Sequence, residues 1–321
     1  MRLLLTGSSG WLGRFLAPRL RKEGHEVVGL DVAPGADTHF IGSVADRRVV
    51  GRVFAERGIE AVIHAGALHK PDIGRYPARD FVDVNVGGTL NLLEAAAAAG
   101  HDRFVFTSTT SLMISEAVRA GKSGGARRAA WLTEDYGPLE PRNIYGVTKL
   151  AAEQLCRLHR REHGLAVVAL RTGRFFPEED DTERGLSGPN VKANEFLNRR
   201  LTVEDAAEAH VAALARAPEI GFGIFIVSAP PPFAPSDSEA LVEDAPAVIA
   251  RYFPAAAELY ERAGWRLPAH IDRIYDPALA EARLGFRCAT DFAAVLQALE
   301  RGGPLPFAHD PSYVSPKEAK G

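Results

Sequence analysis

The sequence predicts an α/β fold, a doubly wound parallel sheet joined to a smaller, mostly helical C-terminal lobe. Three observations predict it: a glycine-spaced turn straight after the first apolar run, short apolar runs alternating with helix-length stretches, and a change of character at a proline-rich break. Arg2-Leu3-Leu4-Leu5 reads as a buried strand. Thr6-Gly7-Ser8-Ser9-Gly10-Trp11-Leu12-Gly13 then leads into a helix over 11–22. Further strands are expected at 26–31, 60–64, 103–108 and 165–170, separated by helices at 46–57, 77–99 and 145–163. A short strand, Ile224-Phe225-Ile226-Val227, precedes the break Ala229-Pro230-Pro231-Pro232-Phe233-Ala234-Pro235. Beyond it, Ser236-Asp237-Ser238-Glu239 reads as a capping box opening a helix. Helices with irregular connections are expected to about residue 301, and 302–321 reads as a loosely held tail. No internal repeat is found.

The glycine turn carries chemistry. Gly7 allows a sharp turn, Gly10 admits a pyrophosphate against the backbone, and Gly13 lets the helix pack close to the strand, with the helix N-terminus facing phosphates. An ordinary glycine-rich turn is the plain alternative. The strand before it, the helix after it and the acid Asp31 ending the second strand argue for a dinucleotide. Asp31 stands where a carboxylate accepts bonds from ribose hydroxyls and repels a 2′-phosphate, which favours NAD over NADP. Downstream, Tyr145 and Lys149 stand four apart on a helical stretch and therefore share a face, so the ammonium is expected to favour the ionised phenol. Free tyrosine titrates near ~10, and only such a push makes it a base at neutral pH. Alone, Y-x-x-x-K is a weak pattern, frequent by chance on surface helices.

Taken together, these segments resemble the extended short-chain dehydrogenase/reductase family, the NAD-dependent epimerase/dehydratase group, over roughly residues 1–230. Its T-G-x-x-G-x-x-G matches Thr6 to Gly13, and its V-I-H-x-A-A matches Val62-Ile63-His64-Ala65-Gly66-Ala67. The helix beginning Asn85-Val86-Gly87-Gly88-Thr89, the strand Phe104-Val105-Phe106-Thr107-Ser108-Thr109, and the segments Leu170-Arg171-Thr172-Gly173-Arg174-Phe175-Phe176 and Leu201-Thr202-Val203-Glu204-Asp205-Ala206 are similar in order.

The resemblance implies a Rossmann-type domain over 1–176 with 203–230 returning to it, and a substrate lobe made of 177–202 and 231–321. It implies Tyr145 as acid/base, Lys149 as its partner and as a ligand of the nicotinamide ribose, and Thr109 as the hydroxyl on the reacting oxygen. Ser108 takes that place if the strand register slips by one. The cofactor is expected along Gly7, Ser9, Gly10, Trp11, Leu12, Gly13, Asp31, Ser43, Val44, Ala65, Gly66, Ala67, Asn85, Thr107, Tyr145, Lys149 and Arg171. Asn85 divides evenly between scaffolding the cofactor and packing the helix. Thr107 and Thr110 have hydroxyls suited to local bonding, Arg171 suits a buried ion pair, and His64 reads as structural. His69, Thr109, Arg174 and Phe175 are the expected substrate contacts.

Departures from the family pattern bear on the substrate. Ser43 and Val44 replace an adenine-binding aspartate, which leaves that contact to backbone. The stretch 115–128 is longer than the resemblance implies, and Lys122, Arg127 and Arg128 in it are candidate contacts for an anion beside the default of a solvated loop. The segment from Pro177 to Thr202 is short, and its Glu178-Glu179-Asp180-Asp181 repels a diphosphate. In this it resembles the uronate dehydrogenase branch more than the nucleotide-sugar 4-epimerases.

Three readings follow. The first is an NAD-dependent oxidoreductase acting on a small sugar or sugar acid; the second is a nucleotide-sugar epimerase or dehydratase; the third is a dinucleotide-binding protein without catalysis.

Composition agrees with an enzyme. The chain has 321 residues, 46% hydrophobic and 25% charged, enough for a large core, and a formal charge of -3 leaves no basic footprint for nucleic acid. No apolar stretch approaches the ~20 residues of a membrane helix, and the first residues are too short for a signal peptide, so a cytoplasmic location is expected. Cys156 and Cys288 form no C-x-x-C pair and read as reduced core thiols, and no metal is expected at His64 or His69. A homodimer is expected by resemblance, through the helices at 77–99 and 145–163.

Overall fold

A computed structural model describes residues 1–119, 126–179 and 185–318. Lys122, Asp180 and Asp181 lie outside the described residues. The chain runs β1 (Arg2–Thr6), α1 (Trp11–Lys22), β2 (Glu26–Asp31), β3 (Phe40–Ile41), α2 (Arg47–Arg57), β4 (Ala61–His64), α3 (Ala78–Phe81), α4 (Gly88–Ala98) and β5 (Phe104–Thr109). It continues with α5 (Glu116–Arg119), β6 (Ala130–Leu132), α6 (Ile144–His163), β7 (Val167–Thr172), α7 (Gly188–Glu195), α8 (Val203–Ile220) and β8 (Phe222–Val227). The remainder is α9 (Ser238–Glu243), α10 (Ala245–Tyr252), α11 (Ala256–Arg262), β9 (Arg273–Tyr275), α12 (Ala278–Leu284) and α13 (Phe292–Arg301).

Among the described residues seven strands form one parallel sheet in the order β3-β2-β1-β4-β5-β7-β8. The chain leaves β1 toward β2 and β3, then returns to lay β4 on the other side of β1, pairing Leu3 with Ala61 and Thr6 with His64. That reversal opens a crevice at the carboxyl ends of β1 and β4, where ligands bind in open α/β sheets. Both faces of the sheet are covered. Leu3, Leu5, Val105, Val168 and Leu170 pack with α1 and α8, while Leu4, Phe104, Phe106, Val167 and Ala169 pack with α2, α4 and α6. A separate apolar cluster joins Phe196 and Leu197 to Leu241, Ile249, Leu259, Tyr260, Phe292 and Val295.

Several expectations are corrected. The helix expected over 77–99 changes pitch: a π-helical turn, Val82–Gly87, separates α3 from α4. Such a wide turn re-aims side chains, and here it carries buried Asn85. The capping contact starts two residues earlier than Ser236, at Ala234. The Asp237 carboxylate accepts the Ala234 N–H (3.0 Å) around the 3-10 turn Pro235–Asp237, with Pro235 fixing its first φ. The two-stranded parallel pair β6·β9 was not expected from the sequence.

Nor is the expected tail loose over residues 302–318, while residues 319–321 lie outside the described residues. Phe307 is buried, the Asp310 N–H donates to the Pro177 carbonyl (2.9 Å), the Tyr313 ring lies 5.1 Å from Trp11, and Lys317 and Glu318 pair with Asp72 and Arg75. Its polar composition is spent on contacts with distant parts of the chain.

The sheet is tied to α6 by a buried ion pair. Arg171 on β7 grips Glu153 on α6 through two bonds (3.0 and 2.8 Å), and Ser108 on β5 donates to the same carboxylate (2.6 Å). Both charged side chains are almost wholly buried. Removing one partner strands the other charge. Glu153→Gln is therefore expected to lower the unfolding free energy by about 3 kcal/mol, as measured by urea titration.

Candidate active site

The glycine turn closes at the head of the crevice. Gly7 has φ +73°, a conformation open to glycine, and a Cβ on it would lie 2.8 Å from the Gly66 nitrogen. A Cβ at Gly13 would lie 2.2 Å from the Gly7 carbonyl oxygen, so α1 approaches β1 as closely as backbone allows. Gly10 caps α1 with no side-chain bond, and the first turn of that helix carries no acid. Its amide groups are thus available to an anion. Asp31, at the end of β2, accepts the N–H groups of Ser9 and Ala33 (3.1 Å each), which fixes its carboxylate beside the turn. A glycine cradle, an uncapped helix terminus and an oriented carboxylate fit a dinucleotide.

The other cofactor candidates divide. Trp11 donates its indole N–H to the Phe175 carbonyl (3.2 Å), and Leu12 is core rather than lining. Gly66, between Ala65 and Ala67, donates to the Thr6 hydroxyl (3.0 Å). That hydroxyl also meets His64 Nδ1 (2.7 Å), and His64 Nε2 lies 3.1 Å from Thr89. The Ser43 hydroxyl is committed to the Ala45 N–H, and the Val44 carbonyl accepts from Asn91. Asn85 spans Leu68 N, Leu68 O and Thr148, bracing the 64–69 loop against α6.

At the carboxyl end of β5 the hydroxyls separate. Thr107 bonds His210 (2.7 Å), and its carbonyl accepts from the Lys149 ammonium (2.8 Å). Ser108 points to Glu153, which removes it as an alternative to Thr109. Burial pushes the Tyr145 phenol up to about 12, against a smaller downward pull from the nearby Thr109 hydroxyl. Burial likewise brings Lys149 down to about 7. The expected acidification of the phenol by Lys149 is therefore not found, because desolvation disfavours both charged forms. Arg171 belongs to the Glu153 pair and not to the cofactor site.

On the substrate side, the His69 ring lies 5.9 Å from Tyr145 and 5.5 Å from Phe176. Phe175 is buried in the core, so Phe176 and not Phe175 faces His69. Arg174 lies 3.4 Å from Glu195, which also holds Arg199 (2.9 Å) and Arg200 (2.7 Å). Arg127 and Arg128 are exposed. Lys192 is buried against the Glu178 carbonyl and His309 (2.8 Å each), and burial brings it down to about 8.

Residues the sequence did not single out are Phe176, Asp72, Lys192, Tyr313 and Lys317. The run of two phenylalanines after Arg174 pointed near the first; nothing local marks the others. Among the described residues, no cluster of His, Cys, Asp and Glu could hold a metal, no helix is long and apolar enough to cross a membrane, and both cysteines are buried free thiols.

Burial lowers His64 and His69 well below the usual histidine range and brings His210 to about 4. Between about pH 4 and 6.5 the unfolded chain binds protons that the folded His210 refuses, so stability rises with pH across that window and is lost on acidification. The unfolding free energy is expected to fall between pH 6.5 and pH 5, with His210 contributing about 2 kcal/mol. In His210→Asn, urea titrations at the two pH values should show a smaller loss.

A model of the NAD dependent epimerase/dehydratase family matches residues 3–190, more than half of the chain. L-arabinose 1-dehydrogenase (NAD(P)(+)) of Haloferax volcanii is 32% identical over 190 residues, 57% of this chain and 70% of that one. UDP-glucose 4-epimerase of Bacillus subtilis is 32% identical over 187 residues, 53% of this chain and 52% of that one. The match thus spans about half the length of the 4-epimerase. Among solved structures, a mutated uronate dehydrogenase superposes with a TM-score of 0.62 at 20% identity, covering 99% of this chain and 96% of that one, which is a likeness of fold. With the glycine cradle, Asp31, Thr109, Tyr145 and Lys149 gathered at one sheet edge, the chain belongs to the NAD dependent epimerase/dehydratase family.

Proposed function

We propose that the protein is an NAD-dependent oxidoreductase that removes hydride from a hydroxyl-bearing carbon of a small sugar or sugar acid. The observation that carries this reading is the Thr109–Tyr145 pair, buried at the carboxyl end of β5 with Lys149 on the same helix face. NAD, when bound, supplies the hydride acceptor. The glycine turn holds its phosphates, Asp31 its adenosine ribose, and Lys149 its nicotinamide ribose. Thr109 orients the substrate oxygen, and Tyr145 takes the proton from it. Burial keeps the phenol protonated, and positive charge beside it moves it toward the phenolate.

A small substrate is supported by the wall that faces it. Glu178 and Glu179 are unfavourable to a diphosphate, and residues 302–318 are tied to Pro177, Trp11 and Asp72, which leaves less room beside Phe176 and His69 in this reading. Arg174, more exposed than Arg199 or Arg200, is our candidate for a substrate carboxylate. The kinship with UDP-glucose 4-epimerases supports a second reading, in which the hydride returns to a nucleotide sugar.

The division into a cofactor domain, 1–176 with 203–230, and a substrate lobe, 177–202 with 231–321, is part of the proposal. So are a cytoplasmic location and a homodimer. Exposed Val82 and Val147, at the expected pairing helices, support the dimer.

Purified protein with excess NAD and a panel of aldoses, uronic acids and nucleotide sugars tests the reading. Stoichiometric NADH from a free sugar or sugar acid is the expected result, and interconverted nucleotide sugars without NADH would replace it with the epimerase. Tyr145→Phe is expected to lower kcat about 10²- to 10⁴-fold. Asp31→Ala is expected to weaken NAD binding about tenfold, the loss of about 1.4 kcal/mol, and to narrow the preference over NADP, both measurable by calorimetry.

A further inference from the structure

Asp72 is 1% exposed. It sits in the 3-10 turn Lys70–Gly74, immediately after His69, whose ring leans on Tyr145. One carboxylate oxygen, Oδ2, accepts the His69 N–H (2.6 Å) and the Lys317 ammonium. The other, Oδ1, has no hydrogen-bond partner among the described residues. A buried carboxylate oxygen without a donor is costly, and such atoms in folded proteins call for a partner.

The ammonium comes from afar. After α13 the chain lays Phe307 into the second apolar cluster, sets His309 against Lys192, ties Asp310 to Pro177 and rests Tyr313 on Trp11, with Arg14 over the Tyr313 ring. It then delivers Lys317 to Asp72 and Glu318 to Arg75. Residues 302–318 thus touch Pro177, the glycine-turn helix and the 70–74 turn, which follows directly on His69 and its ring contact with Tyr145.

A hydroxyl both donates and accepts, a carboxylate oxygen only accepts, and an ammonium only donates. We propose that Asp72 and Lys317 together read one substrate hydroxyl, neighbouring the one that reacts at Tyr145, and that residues 302–318 are a wall of the substrate pocket. Asp72 Oδ1 accepts the hydroxyl proton, and Lys317 donates to the same oxygen while holding Asp72 by its other edge. This inference rests on the carbohydrate reading above and adds a positioning pair to it.

The test uses the full chain with NAD and the sugar that the panel identifies. Asp72→Asn and Lys317→Met are each expected to raise the sugar KM about tenfold or more, as the loss of one hydrogen bond to a charged group implies, while the KM for NAD stays within about twofold. Lys317→Arg is expected to restore most of the affinity. With a series of singly deoxygenated sugars, one analogue is expected to bind wild type and both variants alike, because it lacks the hydroxyl they read. Calorimetry of the same sugars with NADH-loaded protein provides the binding readout without turnover.

Unchanged sugar KM in both variants overturns the proposal, as does an equal loss on every deoxy analogue, which marks Asp72 as a mere anchor for the segment. A parallel fall in NAD affinity also overturns it, placing the segment over the cofactor instead. Wild-type protein that binds NAD yet turns over no carbohydrate overturns the oxidoreductase reading and this one with it.

Discussion

Everything at the site hangs on the buried carboxylate of Glu153. Tyr145, Lys149 and Glu153 follow one another at four-residue steps, so one stripe of α6 carries the phenol, the ammonium and the anchor. Glu153 meets Ser108 of β5 and Arg171 of β7, and Lys149 meets the Thr107 carbonyl of β5. A turn of the helix that relaxed the phenol would also leave Arg171 charged and alone in the core. Catalytic geometry is inherited here from an electrostatic requirement of folding.

That stripe joins two environments of opposite demand. The ion pair is kept charged by mutual contact, whereas one turn away desolvation moves Lys149 and Tyr145 each toward its neutral form, outweighing the pull of Glu153 on Lys149. The charges nearest them, Glu153 and Asp72, are themselves held in ion pairs with Arg171 and Lys317.

Local patterns in the chain made most of the sheet and the head of the site legible. The glycine turn, the acid closing β2 and the four-residue step of Tyr145 and Lys149 each need only a short window. What stayed hidden has a common cause. β5 is buried on both faces, so it lacks the alternation that would tell Ser108 from Thr109, and the register had to be left open. Phe175 and Phe176 follow a strand end where adjacent residues diverge without a periodic signal. β6 and β9 are three residues each and pair across a long separation. Asp72 and Lys317 reveal themselves through partners far away in sequence, and a polar, proline-containing stretch reads as loose whenever those partners are unknown.

The placement of residues 302–318 has a consequence for how the molecule comes into being. The sheet, the glycine turn and α6 are complete in the chain before this segment leaves the ribosome, and domains commonly fold as units during synthesis. A nascent molecule thus passes through an interval in which its parallel sheet can form while Trp11, Asp72 and Arg75 still lack the partners that residues 302–318 bring. Tyr313 can settle on Trp11, and Lys317 on Asp72, only once those earlier parts of the chain are in place.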